Sequence, residues 1–299
     1  MSMEPFFIVG IGRSGTTLLR LMMNSHPDIA IPYETHFITD YVERIESYGE
    51  LNQKDHLKAL VDDIIQEDMI KKWDHSFKTD ELINRIKEPS LGGVIDAIFQ
   101  DYAQSKGKKN WGDKSDYLDR MHVINKIFPK AKFIHIVRDG RDVANSVLKM
   151  PWGPSDLIQA AEWWHWHIKL GRCMGAILGE SRYTEVRYED LVNDPELELK
   201  RLCQFIGIQF SADMLNYHKK NAQELIPDDR KFQHYNTGSA PVKSRTFAWR
   251  KEMRPVNVAI FNSYASPSLK ELGYEHQPPQ VSKYGLLMAK VLIFLKRFV

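Results

Sequence analysis

The sequence predicts an α/β fold in which helices flank a central parallel sheet on both faces. Two strand-loop-helix units support this prediction. Phe6 to Val9 is an apolar run that ends in glycine before the helix-period segment Thr16 to Asn24. Phe133 to Val137 is a second apolar run, and it ends in a polar break before RDVANSVLKM. Strands that alternate with helices along a chain are typical of parallel sheets.

The remaining elements follow the same two periodicities. Ile29 to Ile31 and Tyr183 to Val186 are short strand candidates, and Ser155 to Leu170 keeps an apolar stripe on one helix face. Another helix is predicted between Asp194, an N-cap followed by proline, and Gly207, where it ends.

Two segments stand apart from this alternation. Residues from about 41 to 110 are charged and mostly helical, with Ser90 as a predicted N-cap. We interpret them as a helical insertion beside a cleft, within one domain that covers residues 1–299. An apolar helix is predicted at about 283–299.

This C-terminal helix is strongly apolar but falls short of the roughly 20 residues that a membrane span needs, and Lys290 interrupts it. One interpretation packs it on the core or on the second subunit of a homodimer. The other is an interfacial membrane helix whose basic residues contact anionic lipid. Those residues are Lys283, Lys290, Lys296 and Arg297.

Composition excludes several classes of protein. The formal net charge is only +2, so no overall field attracts nucleic acid. Cys173 and Cys203 are too few for a disulfide framework and lie in no metal-ligand spacing, which indicates a reducing compartment. Since Pro5 to Val9 runs directly into a glycine loop, we expect no signal peptide and a cytoplasmic location, with membrane association through the C-terminal helix as the alternative.

The stretch GIGRSGTT resembles a phosphate-binding loop that lacks its lysine. Gly10 and Gly15 have the spacing of the G-x-x-x-x-G-K-[ST] pattern, but Thr16 occupies the lysine position. The loop can therefore seat a single phosphate on a helix N-terminus without the usual contact to β and γ phosphates. Arg13 is then the nearest cation. The alternative is a glycine turn without a ligand.

A second motif indicates a second phosphate. In a nucleoside-triphosphate enzyme, an apolar strand ends in an acidic residue that holds magnesium, whereas Phe133 to Val137 ends in Arg138, with Ser146 eight residues further on. A cation at this position suits a phosphate and no metal. Two phosphate sites on one nucleotide fit a 3′,5′-bisphosphate.

With these motifs the chain resembles the sulfotransferases that use 3′-phosphoadenosine-5′-phosphosulfate (PAPS), in particular the branch of tyrosylprotein and carbohydrate enzymes. The resemblance extends from the first strand to about Met253. It implies a P-loop NTPase-like three-layer sandwich and a single sulfotransferase domain. The matching stretches are GIGRSGTTLLRLMMNSHPDI, WGDKS, IHIVRDGRDVANSV, VRYEDLVNDP and, more loosely, VKSRTFAWRKEM.

The resemblance implies a PAPS site, with adenosine 3′,5′-bisphosphate (PAP) as the product and no metal. Arg138 and Ser146 would bind the 3′-phosphate. Tyr188 resembles a position near the nucleotide, although a tyrosine buried behind the sheet is equally consistent with the sequence. Two larger sets complete the site: Arg13, Ser14, Gly15, Thr16 and Thr17 for the 5′-phosphosulfate, and Lys243, Ser244 and Arg245 as a late phosphate-closing segment or a solvated basic loop.

Sulfuryl transfer needs stabilisation of the departing oxygen and a base for the acceptor hydroxyl. We expect Arg13 and Lys114 to contact the bridging oxygen and the sulfonate. A surface pair between Lys114 and Asp113 is the alternative. Glu34 is the predicted base, because it follows the loop arginine by 21 residues, as in the tyrosylprotein-like branch. His36 is its rival, since imidazole titrates near neutrality.

Two further expectations concern this base. A partly dry cleft would raise the pKa of Glu34 towards the working pH. If Ile31 to Phe37 is extended, Glu34 and His36 face the same way.

The tryptophans leave a choice open. Trp163, Trp164 and Trp166 lie on one predicted helix, with Trp152 just before it. Such a helix usually packs in the core, but one or two of these rings can instead line an acceptor pocket.

The sequence therefore predicts a sulfotransferase that moves a sulfuryl group from PAPS to a hydroxyl by in-line displacement. The acceptor is predicted to be a small metabolite, a lipid or a saccharide, and not nucleic acid. The alternatives are a small-molecule P-loop kinase, which the missing lysine argues against, and a non-catalytic nucleotide-binding protein.

Overall fold

A computed structural model describes residues 3–219, 243–276 and 279–295, and it places a five-stranded parallel sheet at the centre of the molecule. The strand order is β2-β3-β1-β4-β5, and every neighbouring pair is parallel. The strands are β1 (Phe6–Val9), β2 (Ile29–Ala30), β3 (Asn110–Lys114), β4 (Lys132–Val137) and β5 (Tyr183–Arg187).

Helices connect the strands and cover both faces of the sheet. They are α1 (Thr16–Asn24), α2 (Ile38–Arg44), α3 (Lys54–Ile65), α4 (Asp68–Lys71), α5 (Thr79–Arg85), α6 (Leu91–Ser105), α7 (Met121–Ile127), α8 (Gly140–Val147), α9 (Leu157–Leu178), α10 (Tyr188–Asn193), α11 (Pro195–Ile206), α12 (Trp249–Glu252), α13 (Pro255–Glu271) and α14 (Lys283–Leu295). Short 3₁₀ segments are Ile45–Tyr48, Ala212–Lys219 and Lys243–Arg245.

The core consists of two clusters, one on each face of the sheet. Successive side chains of a strand point to opposite faces, so Phe7 and Val9 enter one cluster while Phe6 and Ile8 enter the other. All four are at most 1% exposed. A sheet buried on both faces is typical of parallel α/β proteins, and the predicted three-layer fold is confirmed.

Most predicted boundaries lie close to the observed ones. The elements Phe6–Val9 and Thr16–Asn24 have the predicted ends. Side chains of Ser90 and Asp194 cap α6 and α11 by accepting backbone N–H groups, as expected. By contrast, α9 continues to Leu178, because apolar contacts with α13 and the sheet extend beyond the stripe on which the prediction rested.

Strand β3 was not predicted from the sequence. Its residues, NWGDK, lack an apolar run, yet four of the five are buried. Buried Asp113 accepts hydrogen bonds from Thr35 and Ser115. Polar side chains in a strand are tolerated when distant partners satisfy them, and no local pattern shows those partners. The predicted helical segment of about 41–110 therefore gives way to a strand at Asn110.

Helix α14 packs on α13 and α9 through Leu286, Ala289 and Ile293. The predicted residues 296–299 of this helix lie outside the described residues. In the described part of the chain, no helix combines the length and the apolarity that a membrane span requires.

Candidate active site

A cavity of about 950 Å³ opens where the parallel strands end. This edge of the sheet is the usual ligand site of open α/β folds. Most predicted site residues line it: Arg13, Gly15, Thr16, Thr17, Glu34, His36, Lys114, Arg138, Ser146, Tyr188 and Arg245. Ser14, Lys243 and Ser244 are not among the described residues of its wall.

The glycine loop turns sharply from β1 into α1. Arg13 and Gly15 have φ values of 72° and 98°, in the left-handed region. A Cβ on Gly15 would lie 2.4 Å from the Tyr188 ring, so only glycine fits there. The ring of Tyr188, which is 8% exposed, therefore packs on the loop and also lines the cavity.

The first turn of α1 supplies N–H groups that have no intrahelical partner. Thr16 and Thr17 begin this helix and line the cavity. Ser14 differs from them: it is 1% exposed, and its N–H donates to the carbonyl of Ile11. The Ser14 hydroxyl is buried without a hydrogen-bond partner among the described residues.

Three segments distant in sequence meet around Arg138. Its Nη1 donates to the carbonyl of Arg13 (3.1 Å) and its Nη2 to the carbonyl of Arg245 (2.8 Å). Its guanidinium lies 4.4 Å from the Tyr188 ring centre. Nε of Arg13 donates to Oγ of Ser146 (2.9 Å), although 133 residues separate them. The structure thus joins the two predicted phosphate motifs and the late segment.

One face of α8 was only partly found from the sequence. Asp142, Asn145 and Ser146 of this helix line the cavity, and so does Lys149, two residues after its end. Ser146 alone was predicted from the sequence, although Asp142 precedes it by four residues, a spacing that places both on one helix face. Burial raises the pKa of Asp142 to about 6, even though Arg138 opposes this shift.

The donor groups suit an anionic nucleotide. The Nδ2 of Asn145 and the Nε of Arg138 are buried and have no hydrogen-bond partner among the described residues. Buried donors without partners are costly. Since both residues lie on the cavity wall, an anion there would satisfy them.

Glu34, Lys114 and His36 form one cluster at the other side of the loop. Lys114 Nζ makes an ion pair with Glu34 Oε1, and His36 Nε2 donates to Glu34 Oε2 (2.6 Å). The side chains of Lys114 and Glu34 are 10% and 16% exposed. Lys114 therefore does not form a surface pair with Asp113, which lies buried in the hydrogen-bond network of Thr35 and Ser115.

A turn, and not an extended strand, orients this cluster. The backbone of His36 lies in the left-handed region, with a φ of 51°, and the preceding strand ends at Ala30. Thr35 is anchored by its N–H to Ser115 Oγ (2.7 Å) and by its hydroxyl to Tyr117 (2.8 Å). Glu34 and His36 do line the same cavity, as expected. They do so because Thr35 between them is anchored, and not because the segment is extended.

The prediction that the pKa of Glu34 is raised is wrong for the structure in which Glu34 is paired with Lys114. Burial by itself would raise it, but the charge of Lys114 and the hydrogen bond from His36 outweigh burial and hold the pKa well below its usual range. Burial by itself would lower the pKa of His36, yet the hydrogen bond to Glu34 raises it above its ordinary value. Glu34 is therefore an ion-paired carboxylate at neutral pH.

The tryptophans divide between core and cavity. Trp164 is fully buried in the core, whereas Trp152 and Trp163 line the cavity. A Cβ on Gly12 would lie 2.7 Å from the Trp152 ring, which therefore packs on the loop. Trp166 is 54% exposed and does not line the cavity. Core packing is thus correct for Trp164 and also for Trp163, which packs against the core while it lines the cavity.

Comparisons with known proteins agree with this geometry. The sequence profile described as "Sulfotransferase family" matches residues 5–212, more than half of the chain. The chain is 26% identical to "Protein-tyrosine sulfotransferase A" of Caenorhabditis elegans, over 96% of this chain and 72% of that protein. It is 28% identical to "Nodulation protein NoeE" of Sinorhizobium fredii, over 67% of this chain and 49% of that protein.

Solved structures show the same fold. The sulfotransferase domain of the Synechococcus PCC 7002 olefin synthase has a TM-score of 0.63 and 23% identity, over 92% of this chain and 96% of that one. The sulfotransferase domain of the curacin biosynthetic pathway has a TM-score of 0.61 and 21% identity, over 92% and 99%. The family match removes the kinase alternative. The chain belongs to the sulfotransferase family, and it is an enzyme that transfers a sulfuryl group.

Proposed function

We propose that the enzyme takes the sulfuryl group from PAPS and transfers it by in-line displacement to a hydroxyl that lies against Trp152 and Trp163. The observation that carries this proposal is the joining of the two phosphate motifs. Arg13, Ser146 and Arg138 are connected by hydrogen bonds at a loop that has threonine where triphosphate-binding loops have lysine.

Each half of the donor site has its own residues in this proposal. The N–H groups at the start of α1 would hold the 5′ side, where the helix dipole favours an anion. Arg138, Asn145 and Ser146 would hold the 3′-phosphate, because they supply a cation, a buried free donor and a hydroxyl. The bound donor supplies the activated sulfuryl group.

The ion pair between Lys114 and Glu34 supports the catalytic assignment. In this proposal Lys114 turns from Glu34 towards the departing oxygen and stabilises the charge that develops there. Once Lys114 moves, its charge no longer lowers the pKa of Glu34, so burial, which raises this pKa, is opposed by His36 alone among these contacts. Glu34 would then accept the proton of the acceptor hydroxyl. His36, hydrogen-bonded to the other carboxylate oxygen, orients Glu34 and is the alternative base.

Isothermal titration tests the donor assignment. We expect tight binding of PAP without metal, and weak binding of ATP with magnesium. Arg138→Gln should weaken PAP binding by about 2 kcal/mol, because a hydrogen bond to a charged group contributes roughly 1.5–3 kcal/mol. Arg250→Gln is the matched control, since Arg250 pairs with Glu275 outside the cavity wall. Preference for ATP with magnesium would contradict the proposal.

Transfer of radiolabelled sulfonate from PAPS then identifies the acceptor. The panel should include saccharides, hydroxylated lipids and small metabolites, together with tyrosine peptides, because tyrosine is named in the descriptions of several relatives. The cytoplasmic location stays a prediction that fractionation of cells can check.

A further inference from the structure

Helix α14 carries a continuous apolar stripe on its outer face. The side chains of this outer stripe recur every three or four residues and are 41% to 73% exposed. They are Tyr284, Leu287, Met288, Val291, Leu292 and Leu295. Single exposed apolar side chains are common, whereas a contiguous stripe marks an interaction surface. The stripe therefore indicates a surface that binds a partner.

The outer stripe is not needed to attach the helix to the domain. Leu286, Ala289 and Ile293 on the opposite face pack against the core. Lys290 adds a cation–π contact, with its Nζ 4.7 Å from the centre of the Tyr264 ring. The helix thus presents one apolar face to the protein and a second one outwards.

Charge and length decide which partner fits. Apart from Lys290, which contacts Tyr264, the sequence from Lys283 onwards has three basic residues, Lys283, Lys296 and Arg297, and no acidic one. Two copies of this helix would bring like charges together, whereas an anionic bilayer surface attracts them. In the described part of the chain α14 has 13 residues and extends about 20 Å, less than the roughly 30 Å of a hydrocarbon core. The helix therefore suits the interface plane.

We propose that α14 binds the enzyme to anionic membranes through its outer stripe, with the helix lying in the plane of the interface. Ile293 on its inner face lines a second cavity of about 630 Å³ together with Gln159. Gln159 also lines the active-site cavity. The two cavities therefore share Gln159, and the second one lies against the inner face of α14.

Vesicle co-sedimentation of the full chain tests this inference. We expect binding to vesicles of equal parts phosphatidylcholine and phosphatidylglycerol, weaker binding to phosphatidylcholine alone, and a decrease with added salt. The double variant Leu287→Ser/Leu292→Ser should reduce partitioning by about tenfold or more, because it removes apolar area from the stripe. Ile177→Ser/Leu197→Ser is the matched control, since these side chains are 68% and 61% exposed on other helices. It should bind like the unmodified chain.

Two further measurements complete the test. Circular dichroism should show both double variants folded, and both should bind PAP like the unmodified chain. Failure of vesicle binding therefore leaves the donor assignment intact. The inference is overturned if the unmodified chain does not bind anionic vesicles or if both double variants lose binding equally. It is also overturned if light scattering shows a dimer that Leu287→Ser/Leu292→Ser converts to a monomer, because the stripe would then bind a second copy.

Discussion

The two ends of the active-site cavity are stabilised in different ways. At the donor end, Arg13 and Arg138 hydrogen-bond across three segments, and buried donors of Arg138 and Asn145 have no partner among the described residues. At the catalytic end, Lys114 and His36 both contact the carboxylate of Glu34. The donor end is therefore arranged to receive negative charge, whereas the catalytic end already neutralises its own.

This difference indicates which end must rearrange during the reaction. Hydrogen-bond donors that are already oriented stabilise an anion without reorganisation. In the proposed mechanism, by contrast, the ion pair opens so that its carboxylate takes a proton and its ammonium stabilises the leaving oxygen. The donor end should thus respond to substitution mainly in binding, and the catalytic end mainly in turnover.

The largest expected effect is on turnover at Glu34. Glu34→Gln should lower the rate constant of transfer by about a thousandfold, because general-base catalysis typically contributes 10² to 10⁴. PAP binding should be retained, since the donor end stays intact. Single-turnover assays with labelled donor, together with titration calorimetry, measure the two quantities separately.

Glu185→Gln is the matched control for this substitution. Glu185 is also an ion-paired carboxylate that accepts from a hydroxyl, but its partners are Arg172 and Tyr183, and it does not line the cavity. The rate constant of transfer in Glu185→Gln should stay close to that of the unmodified enzyme. Normal turnover in Glu34→Gln would transfer the role of base to His36.

The next effect is on stability at the donor end. Gly15→Ala should lower the free energy of unfolding by about 3 kcal/mol, because left-handed backbone costs about 1–2 kcal/mol and the new methyl group collides with Tyr188. Gly207→Ala should cost only about 1 kcal/mol: its φ is 90°, but a Cβ there meets nothing within 4 Å. Urea unfolding measures both, and equal losses would show that the contact with Tyr188 does not matter.

The smallest effect is a change in the titration of His36. Its pKa is raised by the hydrogen bond to Glu34 against the opposing effect of burial. In Glu34→Gln the charge and the ionic hydrogen bond are lost, so burial and Lys114 should lower the pKa relative to the unmodified enzyme. NMR of the imidazole carbons follows this shift. His165, whose pKa is lowered by burial and by Lys169, should titrate identically in both proteins.

The donor end was more predictable from sequence than the catalytic end. The spacing of Gly10 and Gly15 and the periodicity of the strand before Arg138 predict these features from local sequence. The helix caps Ser90 and Asp194 are equally local signals. Arg245 lines the cavity, but its neighbours Lys243 and Ser244 do not line it in the described part of the chain.

The catalytic end depends on partners that are far apart in the chain. Lys114 and Glu34 are 80 residues apart, and their ion pair reverses the expected direction of the pKa shift at Glu34. Strand β3 escaped prediction for the same reason, since buried Asp113 is satisfied by Thr35. No pattern within one window of sequence contains such pairs.

The sequence by itself determined the parallel α/β sheet, the glycine loop with threonine in place of lysine, and the family. The sheet and the loop follow from interactions between near neighbours in the chain, namely side-chain periodicity, caps and turn geometry, whereas the family follows from the resemblance of these motifs to those of known sulfotransferases. Only the tertiary structure decided the charge state of Glu34, the contact of Arg13 with Ser146, and which tryptophans line the cavity. These depend on burial and on distances between remote residues, which exist only after the sheet has assembled.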